Sequence, residues 1–172
     1  MADKKCKATG CVEDESMLHL AKCSHIKINY WDKVGDLMGR LKIKHGTTVR
    51  GWITGEKDEG GTLDEEGGGI LFLAWRCLYA ETVHARSSGT HLRLDHTYAR
   101  LVLMMISRLK AQGVKWYRWY SRTRGQSPEK VKEFPRRYRK RKLLTTAYNA
   151  EYTINKSLLD EYDKIKKNRH IS

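Results

Sequence analysis

Three of the four cysteines fall within the first 23 residues, and a histidine lies between the second and the third. As spacing, Cys6, Cys11, His19 and Cys23 read C-x4-C-x7-H-x3-C. No other pattern in the chain constrains the fold as much, because a structural zinc ion needs four soft or borderline ligands at the corners of a tetrahedron. Cys6 and Cys11 are close enough to share one turn, and Gly10 is free to take the positive φ such a turn needs. His19 and Cys23 are four apart, which places them on one face of a helix. A turn and a helix start thus offer two ligands each. His25 is a spare histidine for the same corner. The expected cofactor is Zn²⁺, held by Cys6, Cys11, His19 and Cys23. The plainer alternative leaves Cys6 and Cys11 as loose thiols and His19 on a helix surface.

The rest of the chain reads as mostly α. Ile28, Trp31, Val34, Met38 and Leu41 recur at threes and fours, which predicts an amphipathic helix over 24–42. Gly35 and Gly39 lower its propensity and leave room for a second helix to approach. Residues 43–69 hold eight glycines with acidic residues between them and are expected to form a flexible acidic loop, with Thr48 to Ile53 a short strand or turn that packs Trp52. A second helix, 70–86, is apolar on most sides. It should be the most buried element, with Cys77 an inert core thiol and Arg76, Glu81 and Arg86 on its wet side. Asp95 is placed as the N-cap of a third helix running from His96 to about Arg122. Asn155 or Ser157 would cap a last short helix, 158–167. The expected organisation is a zinc knuckle with its first helix (1–42), the acidic loop (43–69), a helical core (70–124) and a basic extension with a short terminal helix (125–172). The fold class is therefore mostly α, with a small N-terminal zinc knuckle packed on a three- or four-helix core.

Charge divides the chain unevenly. Residues 1–70 carry 11 Lys and Arg against 12 Asp and Glu, whereas residues 71–172 carry 23 against 8, and the whole is +14. Such asymmetry points to a polyanionic partner for the second part. Within it, residues 108–142 contain 14 basic and 2 acidic residues, interleaved with Trp116, Tyr117, Trp119, Tyr120, Phe134 and Tyr138. Arginine and lysine hold phosphates through counterion release, and flat rings stack on unpaired bases. Trp116, Trp119 and Tyr120, with Arg118, Arg122, Arg124, Arg136, Arg137, Arg139, Lys140, Arg141 and Lys142, are the candidate nucleic-acid contacts, whether to RNA or DNA. The peak, PRRYRKRK, also reads as a nuclear address or as a solvated surface. One or two of the aromatics would instead complete the core of the third helix.

The order Cys6, Cys11, Glu15-Ser16, His19-Leu20, Cys23 and Trp31 resembles the zinc-binding segment that follows the reverse transcriptase domain in non-LTR retrotransposon polyproteins. Those segments commonly read Cys-x2-Cys-Gly, Glu-Thr or Glu-Ser, His-Leu, Cys and then Trp. Here the first pair is wider, and Ser24 replaces the proline that often follows the last cysteine. The stretches LFLAWRCLYAETVHAR and LDHTYARLVLMMISRLKAQGVKWYRWY look like helices that trail the zinc segment in some retroelement-derived proteins. The resemblance implies a module that holds template RNA or target DNA for a polymerase elsewhere.

No catalytic constellation is present. The aromatic-x-Asp-Asp polymerase signature, H-E-x-x-H and G-x-S-x-G are all missing, and no glycine pattern fits a nucleotide-binding loop. The acidic residues of 56–66 lie on a glycine-rich loop, too imprecise for a two-metal site. His84, His91 and His96 read as surface residues. No enzymatic activity is expected. Mean hydropathy is −0.69, and no apolar run is long enough for a transmembrane helix. The first ten residues do not read as a signal peptide, so a reducing nuclear or cytoplasmic compartment is expected, where clustered Cys and His bind metal. A zinc-stabilised protein-interaction module, meeting a partner through its helical core, is the competing function. A retroelement-derived fragment without function is a third.

Overall fold

A computed structural model describes residues 5–123, 141–146 and 151–169. Its helices are α1 (Met17–Lys22), α2 (Ser24–Ile26), a π-helical turn (Lys27–Trp31), α3 (Asp32–Arg40), α4 (Val49–Thr54), α5 (Glu65–Ser88), α6 (Leu94–Thr123) and α7 (Lys156–Arg169), with one strand pair, β1 (Leu144–Thr146) and β2 (Tyr152–Ile154). The protein is mostly α, and no described helix is long and apolar enough to cross a membrane. Two compact units divide the chain, Met1–Leu101 and Val102–Ser172, with the boundary inside α6.

The first unit is organised around a tryptophan cluster. Trp31 stacks on Trp52 at 5.0 Å between ring centroids and leans on Trp75 at 4.7 Å. Each polar handle of the cluster finds a backbone carbonyl. Tyr30 Oη donates to Ala74 O at 2.7 Å, Trp31 Nε1 to Leu20 O at 3.0 Å and Trp75 Nε1 to Trp52 O at 2.7 Å. Large rings can be buried this way without orphaning an N–H or O–H.

The π turn explains why the apolar stripe of this region differs from the one expected. An i→i+5 turn inserts one residue and shifts the helical phase. Ile26, Tyr30 and Trp31 all become fully buried, whereas Ile28 is 63% exposed. Ile28 therefore leaves the core face on which a uniform helix would have placed it. Gly35 provides the expected close approach, since a Cβ there would sit 3.0 Å from His45 Nε2 and 3.6 Å from the Trp52 ring. At Gly39 nothing lies within 4 Å.

Residues 43–69 are a built element, not a loose acidic loop. Thr48 caps α4 by accepting from the Gly51 N–H at 3.0 Å, and Gly55 closes it with φ +76°. A helix, not a strand, brings Trp52 to Trp31. The acidic residues that suggested flexibility are tied down. Asp58 accepts from both the N–H and the hydroxyl of Thr47 at 2.9 Å, Glu56 pairs with Arg50 at 2.8 Å, and Glu59 pairs with Lys44 at 2.6 Å.

Helix α5 begins earlier than the apolar run implied. Asp64 accepts from the Gly67 N–H at 2.8 Å, and Glu65 and Glu66 in the first turn favour the positive end of the helix dipole. Three glycines thus lie inside the helix, and at Gly67 a Cβ would press on Ile43 and Leu63 at 3.0 Å. Cys77 is buried as expected, and burial raises its thiol pKa. Glu81 is not on the wet side. It is buried and accepts from the Arg93 N–H at 3.0 Å and from Arg93 Nε at 3.1 Å, which fixes the α5–α6 connection. Asp95 is the second residue of α6, two positions past the cap that was expected of it.

In the second unit Leu144, Thr145 and Thr146 pair antiparallel with Ile154, Thr153 and Tyr152. This pair was not anticipated, although both strands are rich in β-favouring residues. Gly113, inside α6, provides a seat for the Tyr152 ring, whose atoms lie 2.5 Å from where a Cβ would be. Asn155 caps α7, its Oδ1 accepting from the Ser157 N–H at 2.9 Å.

Candidate metal centre

The knuckle is built by local hydrogen bonds. Residues 5 and 14 form an isolated antiparallel bridge, reinforced by a Lys5–Asp14 ion pair of 2.8 Å. The Cys6 N–H donates to Glu13 O at 2.9 Å and the Cys11 N–H to Ala8 O at 3.0 Å, with Gly10 at φ +76° between them. Ser16 caps α1 by accepting from the His19 N–H at 3.0 Å, and the Cys23 N–H donates to His19 O at 2.7 Å. A turn and a short helix therefore present two side chains each, as the spacing predicted.

The ligand atoms of Cys6, Cys11, His19 and Cys23 all lie within 4.8 Å of one another. The edge of a tetrahedral zinc–thiolate site is about 3.8 Å, from Zn–S bonds of about 2.3 Å, so modest contraction closes the set. Cys6, His19 and Cys23 are buried, and Cys11 is half-buried. His25 is half-buried beside them but outside the set.

A further residue, not anticipated from the sequence, completes the site. Cys11 Sγ lies 3.3 Å from His19 Nε2, and Glu13 Oε2 lies 3.1 Å from His19 Nδ1. With Nδ1 protonated and donating to Glu13, Nε2 keeps its lone pair for a metal, the arrangement by which a carboxylate fixes the tautomer of a metal-bound histidine. Lys22 Nζ lies 3.4 Å from the same Glu13 oxygen. Lys22, and then His19, hold the Glu13 carboxyl below its ordinary pKa. The sequence signal was a lone acid between the second cysteine and the histidine, indistinguishable from its acidic neighbours.

Electrostatics also favour a cation here. Burial pushes the Cys6 thiol up to about 12 despite the Ala8 N–H on its sulfur, and the neighbouring Cys23 and Cys11 push in the same direction. Three thiolates do not share a dry pocket unaided, whereas a bound dication makes them the stable form. The cluster can hold a metal ion. The site is tied to the rest of the unit by the Leu92 N–H on Lys7 O at 3.0 Å, by Arg86 and Glu15 at 3.4 Å, and by Trp31 on Leu20.

The basic aromatic residues are spread differently. Arg118, Arg122 and Lys142 are exposed, and Arg141 is half-buried. Trp116 is fully buried, with Trp119 at 5.2 Å and Tyr120 at 5.8 Å between centroids. It is thus a core side chain with no open face for a base, because its spacing puts it on the buried side of α6. Trp119 and Tyr120 are half-buried, and Tyr117, at 57% exposure, is the open ring of this turn. Arg124, Arg136, Arg137, Arg139 and Lys140 lie outside the described residues. His84, His91 and His96 are exposed. No family model, curated protein or solved structure matches the chain.

Proposed function

We propose that this protein is a zinc-stabilised nucleic-acid-binding module without catalytic activity of its own, of the kind that follows the polymerase in non-LTR retrotransposon proteins. The Cys6, Cys11, His19 and Cys23 constellation, with Glu13 on the histidine, carries the reading. Three thiolates and an imidazole suit zinc above the harder divalent cations. All four positions of the tetrahedron are taken by protein, which fits a structural cross-link and leaves no open position for chemistry. The order of ligands, with Leu20 and Trp31 joined by a hydrogen bond, supports the retroelement comparison.

Nucleic-acid binding is supported by the charge asymmetry, by the exposed Arg118, Arg122 and Lys142, and by the exposed ring of Tyr117. Phosphate contacts would come from the guanidinium groups and stacking from the open ring. Fluorescence anisotropy with labelled single- and double-stranded RNA and DNA, between about 50 and 200 mM salt, tests this. Affinity should fall linearly on a log–log plot, and Arg118→Ala and Arg122→Ala should each reduce the slope by about 0.7–0.9 if each contacts one phosphate. No binding near physiological ionic strength would defeat the proposal.

Glu13→Gln tests the metal site without removing a ligand. The amide can still accept from Nδ1 but carries no charge. Zinc affinity, measured by competition with a chelator, should fall about tenfold, the low end of such outer carboxylate effects because Glu13 is largely exposed. Unchanged affinity would mean that the carboxylate does not position the ring.

A further inference from the structure

A second surface of the first unit contains none of the four candidate metal ligands and none of the candidate nucleic-acid contacts. A groove of about 820 Å³ is lined by α5, α1, the end of α4 and the turn that follows α4. Met17, Leu20, Ile53, Leu63, Phe72 and Tyr79 line it. Met17, Phe72 and Tyr79 are 58%, 60% and 61% exposed, so three large apolar side chains around one groove face water. Apolar surface gathered in this way marks an interaction site, whereas scattered exposed residues do not.

The charges of the groove narrow the occupant. Arg76 lies on its lining, is exposed, and has no ion-pair partner among the described residues. Arg86 is held by Glu15 Oε1 at 3.4 Å. Among the described residues Glu15 is the only carboxylate on the lining, and its side chain is 8% exposed and paired with Arg86. The accessible charge of the groove is positive.

The walls narrow the occupant further. Along Phe72–Tyr79, in the middle of α5, the backbone groups are paired within the helix and present no strand edge. An extended peptide laid along these turns would bury N–H and C=O groups that they cannot pair, at a cost comparable to losing those hydrogen bonds. A helix arrives with its backbone already paired. From Phe72 to Arg86, at about 1.5 Å per residue, the groove is roughly 21 Å long, or about four helical turns.

We propose that this groove docks an amphipathic helix of a protein partner, with its apolar face on Phe72 and Tyr79 and an acidic residue on Arg76. The contact follows helix-in-groove recognition, in which side chains at i, i+3, i+4 and i+7 anchor the partner. It does not depend on the nucleic-acid reading, and loss of either leaves the other standing.

The probe is a synthetic 16-residue amphipathic helix with leucines on one face and glutamates on its flanks, alongside a twin carrying lysine for glutamate. Chemical-shift mapping on the unaltered protein should place the glutamate peptide on Met17, Ile53, Phe72 and Tyr79. Phe72→Ser and Arg76→Glu, both at exposed positions, should each weaken it about tenfold. Arg76→Glu should at the same time strengthen binding of the lysine twin, a reversal that general attraction to a basic protein cannot produce. Shifts confined to residues beyond 101, or affinity unmoved by both substitutions, would overturn the proposal. So would self-association in sedimentation equilibrium that Phe72→Ser abolishes, which would make the groove a contact between copies.

Discussion

Cys23→Ala is expected to eliminate bound zinc and to unfold the knuckle. Cys23 is buried at the C-terminal end of α1 and is one of the four candidate ligands, so its loss would open the tetrahedron and leave two thiols and an imidazole in a dry pocket. Zinc contributes on the order of 10–16 kcal/mol of apparent folding free energy in zinc-finger peptides, as much as the whole stability of a typical domain, about 5–15 kcal/mol. The stacking of Trp31 on Trp52 and Trp75 contains no metal ligand, so unfolding should cost Trp31 its Leu20 acceptor but stop short of α3. Amides of residues 5–23 should lose exchange protection. The thermal midpoint should fall by more than about 10 °C, given roughly 4–8 °C per kcal/mol for a unit of this size. Elemental analysis and a melt decide the matter. One zinc per chain in the parent and none in the variant is the expected result. An unchanged midpoint with no zinc in either protein would show that the four side chains are a cluster without an ion, and one zinc in both would show that Cys23 is not a ligand.

Gly46→Ala is the second large effect, and it comes from a part of the chain with no metal ligand. A Cβ at Gly46 would lie 2.1 Å from Glu56 O and 2.9 Å from Gly51 Cα. The reciprocal Cβ at Gly51 would lie 2.8 Å from Gly46 Cα. These neighbours are backbone atoms, which cannot swing aside as a side chain can. Overpacking of this kind costs about 3 kcal/mol, against a gain of about 0.4–1 kcal/mol from a stiffer unfolded chain. The clash wins, and α4 with Trp52 should be pushed off Trp31. Gly39→Ala is the matching control. Gly39 is exposed in α3 with nothing near it, so alanine should stabilise by up to about 1 kcal/mol through helix propensity. Opposite shifts in two melts are the expected pattern. Equal shifts would show that the Gly46–Gly51 approach is not tight in solution.

How much of this was legible beforehand depends on the range over which each signal acts. The four candidate ligands were readable because a knuckle and a helix turn are local objects, and spacing of four or five residues determines which side chains can meet. Glu13 was not readable, because its role depends on a hydrogen bond to the far nitrogen of a particular ring. The interleaving of aromatic and basic residues suggested Trp116 as a stacking surface while its helical spacing suited the core, and the folded chain buries it. Periodicity records the phase of a helix but not what covers each face.

The chain's own pattern therefore determined the helical class, the main apolar stripes, the buried Cys77 and the order of the four candidate metal ligands. These follow from rotation per residue and from ligand chemistry, which act within a turn or two. Tertiary structure alone decided that a π turn would expose Ile28 and bury Tyr30 beside Trp31. It decided that two glycines would let α4 close on the tryptophans, and that Glu81 would be buried to hold Arg93. It also left one side of α5 as an open groove. Each of these depends on groups distant in sequence meeting and satisfying, or excluding, one another, and no local propensity encodes such a meeting.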